Sequence, residues 1–84
     1  MALELLALLA ELPGVTPEER FGANLRQTRT KRGWSQEELG QTSGLHMTEI
    51  SRLERAVREP RLSTIVRLAK ALGVTPADLL TGVK

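Results

Sequence analysis

Between Gln36 and Arg58 the chain gathers most of the residues that could do chemistry: Gln36, His46, Met47, Thr48, Ser51, Arg52, Arg55 and Arg58. They do not form a catalytic set. His46 is the single histidine, cysteine and tyrosine are absent, and Ser35, Ser51 and Ser63 have no other imidazole to activate them. Helix capping, a groove contact and a helix start explain those three serines better. Metal-ligand clusters, phosphate-binding glycine loops and nucleophile–base pairs are missing too, so neither an enzyme nor a metal or cofactor is expected. The stretch instead offers cations, hydrogen-bond donors and methyl groups at helical spacing, which suit reading base edges and gripping phosphates.

Two short helices must hold these groups. Ser35-Gln36-Glu37-Glu38 is a capping box that starts a helix of about two turns, to about Thr42, with Leu39 facing the core. Gly44 suits the left-handed backbone of a tight turn, and a further helix runs from about His46 to Arg55. Gly40 sits in mid-helix although glycine there costs about 1 kcal/mol against alanine, which points to a close packing contact. Counting Gln36 as position one, Gly40 is the fifth, Gly44 the ninth, Ile50 the fifteenth and Leu53 the eighteenth. A single capping box would be weak, but five agreeing positions at fixed spacing describe a helix-turn-helix. With Ile50 at the centre of the buried face, Thr48, Ser51, Arg52 and Arg55 lie opposite it and Met47 on the flank.

From about Phe21 to Leu80, roughly three-quarters of the chain, the sequence resembles the Cro/repressor (lambda-repressor-like) helix-turn-helix family. The residues that carry the likeness are Arg29, Gly33, Ser35 to Leu39, Gly44, Ile50 to Arg55, Pro60 and Leu68 to Val74. The resemblance implies an all-α bundle of five helices that binds double-stranded operator DNA as a dimer, on a roughly palindromic site. It implies that Arg29 and Glu54 form a partly buried pair, and Glu54 does lie near the inward face set by Ile50, Leu53 and Val57. It also implies that Gln36 contacts phosphate and braces the recognition helix.

The N-terminal end of such a helix enters the major groove, so Met47 and Thr48 are expected at base edges, where both can touch a thymine methyl. Met47 departs from the polar amides common in the family. Arg52 either forks onto a guanine or grips phosphate. His46 is expected to donate to a phosphate, and Arg55, Arg58 and Arg61 to supply charge to the backbone. Where the family has glycine just after the recognition helix, this chain has Ala56. Alanine tolerates a left-handed turn poorly, so a different loop path is expected.

The flanking elements follow the same logic. Thr16-Pro17-Glu18-Glu19 caps a helix that carries Phe21, Leu25 and Thr28 to about Arg32 and stops at Gly33. Trp34 is read as a packing anchor rather than a base-stacking platform. Leu62 to Leu72 reads as an amphipathic helix whose apolar residues are Leu62, Ile65, Val66, Leu68, Ala69 and Leu72. Thr75-Pro76-Ala77-Asp78 caps a last short helix that buries Leu79 and Leu80.

Residues 1–14 stand apart as an extra helix, ended by Pro13-Gly14, ahead of a DNA-binding domain over 15–84. Leu3, Leu5, Leu6, Leu8, Leu9 and Leu12 make that helix apolar round most of its circumference, with only Glu4 and Glu11 on a polar edge. Such a helix is covered on more than one side, by its own domain and by a second subunit, so its leucines, in preference to the C-terminal pair Leu79-Leu80, are the expected dimerisation surface. The segment is too short to span a bilayer and lacks a signal peptide's basic flank, so the chain reads as cytoplasmic, of bacterial or phage type.

Charge divides the chain similarly. Residues 1–19 hold four acids and no Lys or Arg, whereas residues 20–84 hold all twelve basic residues against six acids, a net +6. That balance suits either an anionic partner or a solubilising surface. The leading expectation is a sequence-specific, dimeric transcriptional regulator that acts as a repressor. The alternative is an antitoxin or interaction module whose leucine-rich helix binds a partner protein such as a toxin.

Overall fold

The computed structural model describes residues 15–84, and the expected leucine-rich helix lies outside them. Five helices follow in order: α1 (Pro17–Lys31), α2 (Gln36–Ser43), α3 (Met47–Glu54), α4 (Leu62–Leu72) and α5 (Pro76–Leu79). Among the described residues there is no strand, and no helix there is long and apolar enough to cross a membrane.

The capping signals work as their side-chain chemistry requires. Thr16 Oγ1 accepts from the Glu19 backbone N–H at 3.1 Å, and the Glu19 carboxylate accepts from the Thr16 N–H at 3.0 Å. The same reciprocal pair joins Ser35 to Glu38 at the start of α2 and Thr75 to Asp78 at the start of α5. Backbone N–H donation from Thr16 and Thr75 holds the Glu19 and Asp78 carboxyls below their ordinary values of 4.5 and 3.8. Depressed carboxylate values of this kind stabilise the fold above the ordinary pKa, and the contribution disappears as falling pH protonates the acids.

The core is built from side chains spaced by helical turns. Phe21 and Leu25 from α1, Leu39 from α2, Ile50 and Leu53 from α3, Leu68 and Leu72 from α4 and Leu79 from α5 meet in one cluster. α3 packs on both α1 and α2, while α4 packs on α2 and α5. Trp34 lies against the cluster as the expected anchor, and the Arg32 guanidinium covers its ring at 4.4 Å from the centroid. Leu62 and Val57 correct the sequence reading: Leu62 opens α4 with 74% of its surface exposed, outside the core face, and Val57, expected beside Ile50 and Leu53, is 64% exposed. Leu80 is half-buried against the cluster, whereas Leu79 is fully enclosed.

Two glycines mark where backbones nearly touch. A Cβ on Gly40 would stand 2.6 Å from the Leu45 carbonyl oxygen, so the turn between α2 and α3 can fold back only over a bare α-carbon. A Cβ on Gly22 would stand 2.6 Å from the Leu53 carbonyl oxygen and 2.7 Å from that of Glu54, so α1 meets the end of α3 under the same constraint.

The loop after α3 also differs from expectation. Ala56 adopts φ 61°, the left-handed turn itself. Its N–H donates to the Leu53 carbonyl at 3.2 Å, and the Val57 N–H to the Arg52 carbonyl at 3.1 Å. Those two bonds make a complete Schellman motif, so the helix end takes its usual path with alanine in the position that favours glycine.

Candidate nucleic-acid interface

The recognition element is α3, eight residues long and bound to the domain by its inward face. Ile50 and Leu53 are fully buried, and Glu54 extends that face into a charged lock. Arg29 Nε donates to Glu54 Oε2 at 2.7 Å and Nη2 to Oε1 at 2.9 Å, a bidentate fork. The two side chains are only 10% and 3% exposed. Arg29 Nη1 also donates to the Trp34 carbonyl at 2.8 Å, so one guanidinium ties α1, the α1–α2 junction and α3 together. The pair is as the family resemblance implied, with a third member: Gln36 Nε2 donates to Glu54 Oε1 at 3.1 Å. That bond is the bracing of α3 expected of Gln36, made through the lock.

The opposite face of α3 is open. Met47, Thr48, Arg52 and Arg55 are all exposed there, with Met47 showing 44% of its surface. Ser51, on the same side, is half-buried, and its Oγ accepts from Arg55 Nε at 3.2 Å. Ser51 therefore orients an arginine as well as standing on the outward face. The structure thus brings Met47, Thr48, Ser51, Arg52 and Arg55 onto one surface.

His46 and Arg58 stand differently. His46 is the N-cap of α3: its Nδ1 accepts from the Thr48 backbone N–H at 3.0 Å. That nitrogen is an acceptor, so a phosphate contact from this ring would have to come from Nε2. Arg58 is exposed, but its Nε stands 3.6 Å from Glu49 Oε1 across the loop, which draws its charge toward the flank of α3. Glu49 was not singled out from sequence, because nothing in its spacing announces a partner nine residues on.

Three other supports of the site were also missed. Gly22 fixes the approach of α1 to α3, and its signal was the same mid-helix glycine penalty that revealed Gly40. Asn24, a poor helix former between two core residues, donates from Nδ2 to the carbonyls of Leu79 and Thr81 at 3.0 and 2.8 Å. Arg67 Nη2 donates to the Gly44 carbonyl at 3.1 Å, which secures the turn before α3 from α4. Long-range arginine-to-carbonyl bonds such as this leave no local pattern in a sequence.

Among the described residues no group of three or more His, Cys, Asp or Glu could hold a metal ion. An eight-residue helix with a locked apolar side and an exposed side of methyl groups, hydroxyls and guanidinium groups is suited to a groove rather than to a reaction.

Comparison with known proteins agrees with that geometry. A helix-turn-helix family model matches residues 25–79. Control protein C.BamHI of Bacillus amyloliquefaciens is 48% identical over 61 residues, covering 71% of this chain and 75% of that protein. Control protein C.SmaI of Serratia marcescens is 44% identical over 64 residues, covering 76% of each. Among solved structures, the restriction-modification controller protein C.AhdI from Aeromonas hydrophila superposes with a TM-score of 0.73 at 40% identity, over 74% of this chain and 90% of that one. These relatives are regulators, which favours regulation over the antitoxin alternative. The chain belongs to the Cro/C1-type helix-turn-helix family and is a DNA-binding transcriptional regulator, not an enzyme.

Proposed function

We infer that the protein binds a roughly palindromic operator as a homodimer and represses from it, each copy laying α3 in a major groove. The observation that carries this reading is the division of α3: Ile50, Leu53 and Glu54 are locked inward while Met47, Thr48, Arg52 and Arg55 stand exposed. Met47 and Thr48, at the N-terminal end, meet base edges, and Arg52, one turn on, forks onto a guanine. Arg55, held by Ser51, grips phosphate, and Arg58 joins it by leaving Glu49. Gln36 has one amide hydrogen on Glu54, and its second reaches a phosphate at the start of α2, where free backbone N–H groups favour an anion. His46 adds its remaining ring nitrogen from the start of α3.

Dimerisation through the leucines of residues 3–12 completes the reading. The relatives named as control proteins, one of them a restriction-modification controller protein, suggest the regulatory setting, control of a restriction–modification system. Selection of the full chain on random DNA at two salt concentrations tests the proposal. It should return an inverted repeat whose half-sites are one helical turn, or a multiple of it, apart, with affinity that falls steeply with salt. Recovery of single half-sites, or of no preferred sequence, would contradict it.

A further inference from the structure

Beside the start of α1 the domain carries an open apolar groove of about 160 Å³. Pro17 and Phe21 line it from α1, Pro60 and Ile65 from the loop and α4, and Leu80 and Val83 from the chain around the end of α5. An apolar cavity of about 150 Å³ is large enough to hold benzene, so this groove has room for a branched aliphatic side chain. None of the DNA-facing residues named above lines it.

The chain itself supplies the matching group. Residues 1–14 lie outside the described structure, and they end three positions before Pro17, which is part of the groove wall. Leu12 is five residues from Pro17 and so cannot lie more than about 18 Å from it even with the backbone fully extended. A tether that short gives an effective concentration in the millimolar range, ahead of any free partner. Charge decides which side of the segment enters. Glu18 and Glu59 also border the groove, while the only charged side chains of residues 1–14 are Glu4 and Glu11. Like-charge repulsion disfavours those two acids at the groove, which leaves the leucines as the side chains suited to enter it.

We propose that the groove of Phe21, Ile65, Leu80 and Val83 seats a leucine from residues 8–12 of the same chain. The segment is thereby fixed against its own domain on one apolar side, and its other side remains for a second copy. This deepens, and rests on, the reading of residues 1–14 as the dimerisation element.

Nuclear Overhauser contacts in the full chain, with leucine and valine methyls isotope-labelled in half of the molecules, test the proposal. The expected result is contact within one chain between a leucine methyl of residues 8–12 and the Val83 or Leu80 methyls. Those contacts should vanish in Val83→Glu, and equally when Leu8→Ser, Leu9→Ser and Leu12→Ser are combined, which leaves the domain untouched, while the Leu53 and Leu68 methyl signals stay in place. Absence of the contacts in the native chain, or contacts only between labelled and unlabelled molecules, would overturn it. Sedimentation of the same samples separates the two readings. A monomer with contacts inside the chain sustains the seat and defeats the dimer, whereas a dimer without them does the reverse.

Discussion

Single residues decide how firmly the recognition helix is held. Arg29 and Glu54 form a nearly dry bidentate pair, and Gln36 closes its remaining side. Removing one partner of a buried pair leaves a charge without compensation, so Glu54→Gln should cost about 3–5 kcal/mol in urea denaturation. An unchanged midpoint would show that the pair does not lock the helix. Ala56 offers the opposite case. Its φ of 61° places a Cβ where the left-handed backbone disfavours one. Ala56→Gly should therefore stabilise the fold by about 1 kcal/mol, and a loss of stability on the same measurement would refute the strain.

At the scale of elements, local rules were legible and long-range ones were not. Thr16, Ser35 and Thr75 announce their helices because an N-cap and its acid lie three residues apart. Gly44 announces its turn because a left-handed residue favours glycine. The lock of Arg29 to Glu54 came from the family likeness, since no local pattern joins residues 25 positions apart. Ala56 misled because the loop was read from residue preference alone, whereas two backbone hydrogen bonds of the Schellman motif hold its turn. Leu62 misled because helical period alone does not say how far the packed stripe extends toward a helix end. His46 was read as a phosphate donor from its place at the start of the recognition helix, and its Nδ1 also serves α3 as the cap. His46→Ala should destabilise the domain by about 1 kcal/mol and His46→Ser should restore most of it. Equal stability of all three proteins in thermal melts would remove the cap from the account.

Across the described residues, five helices form one body that serves to present α3. α1 and α2 clamp α3 through Phe21, Leu25, Leu39, Ile50 and Leu53, with Gly22 and Gly40 setting the approach, and α4 and α5 close the core behind them. The exposed face of α3 then carries the molecule's claim to sequence specificity. Arg52 is the sharpest point at which to test it, because a base contact and a phosphate contact predict different outcomes. Random-sequence selection of the full chain and of Arg52→Ala, at one salt concentration, should show a loss of about 1–3 kcal/mol and relaxed preference at one base position in each half-site. A uniform loss across all sequences, with the preference intact, would place Arg52 on the phosphates and contradict its assignment as a base-reading residue of α3.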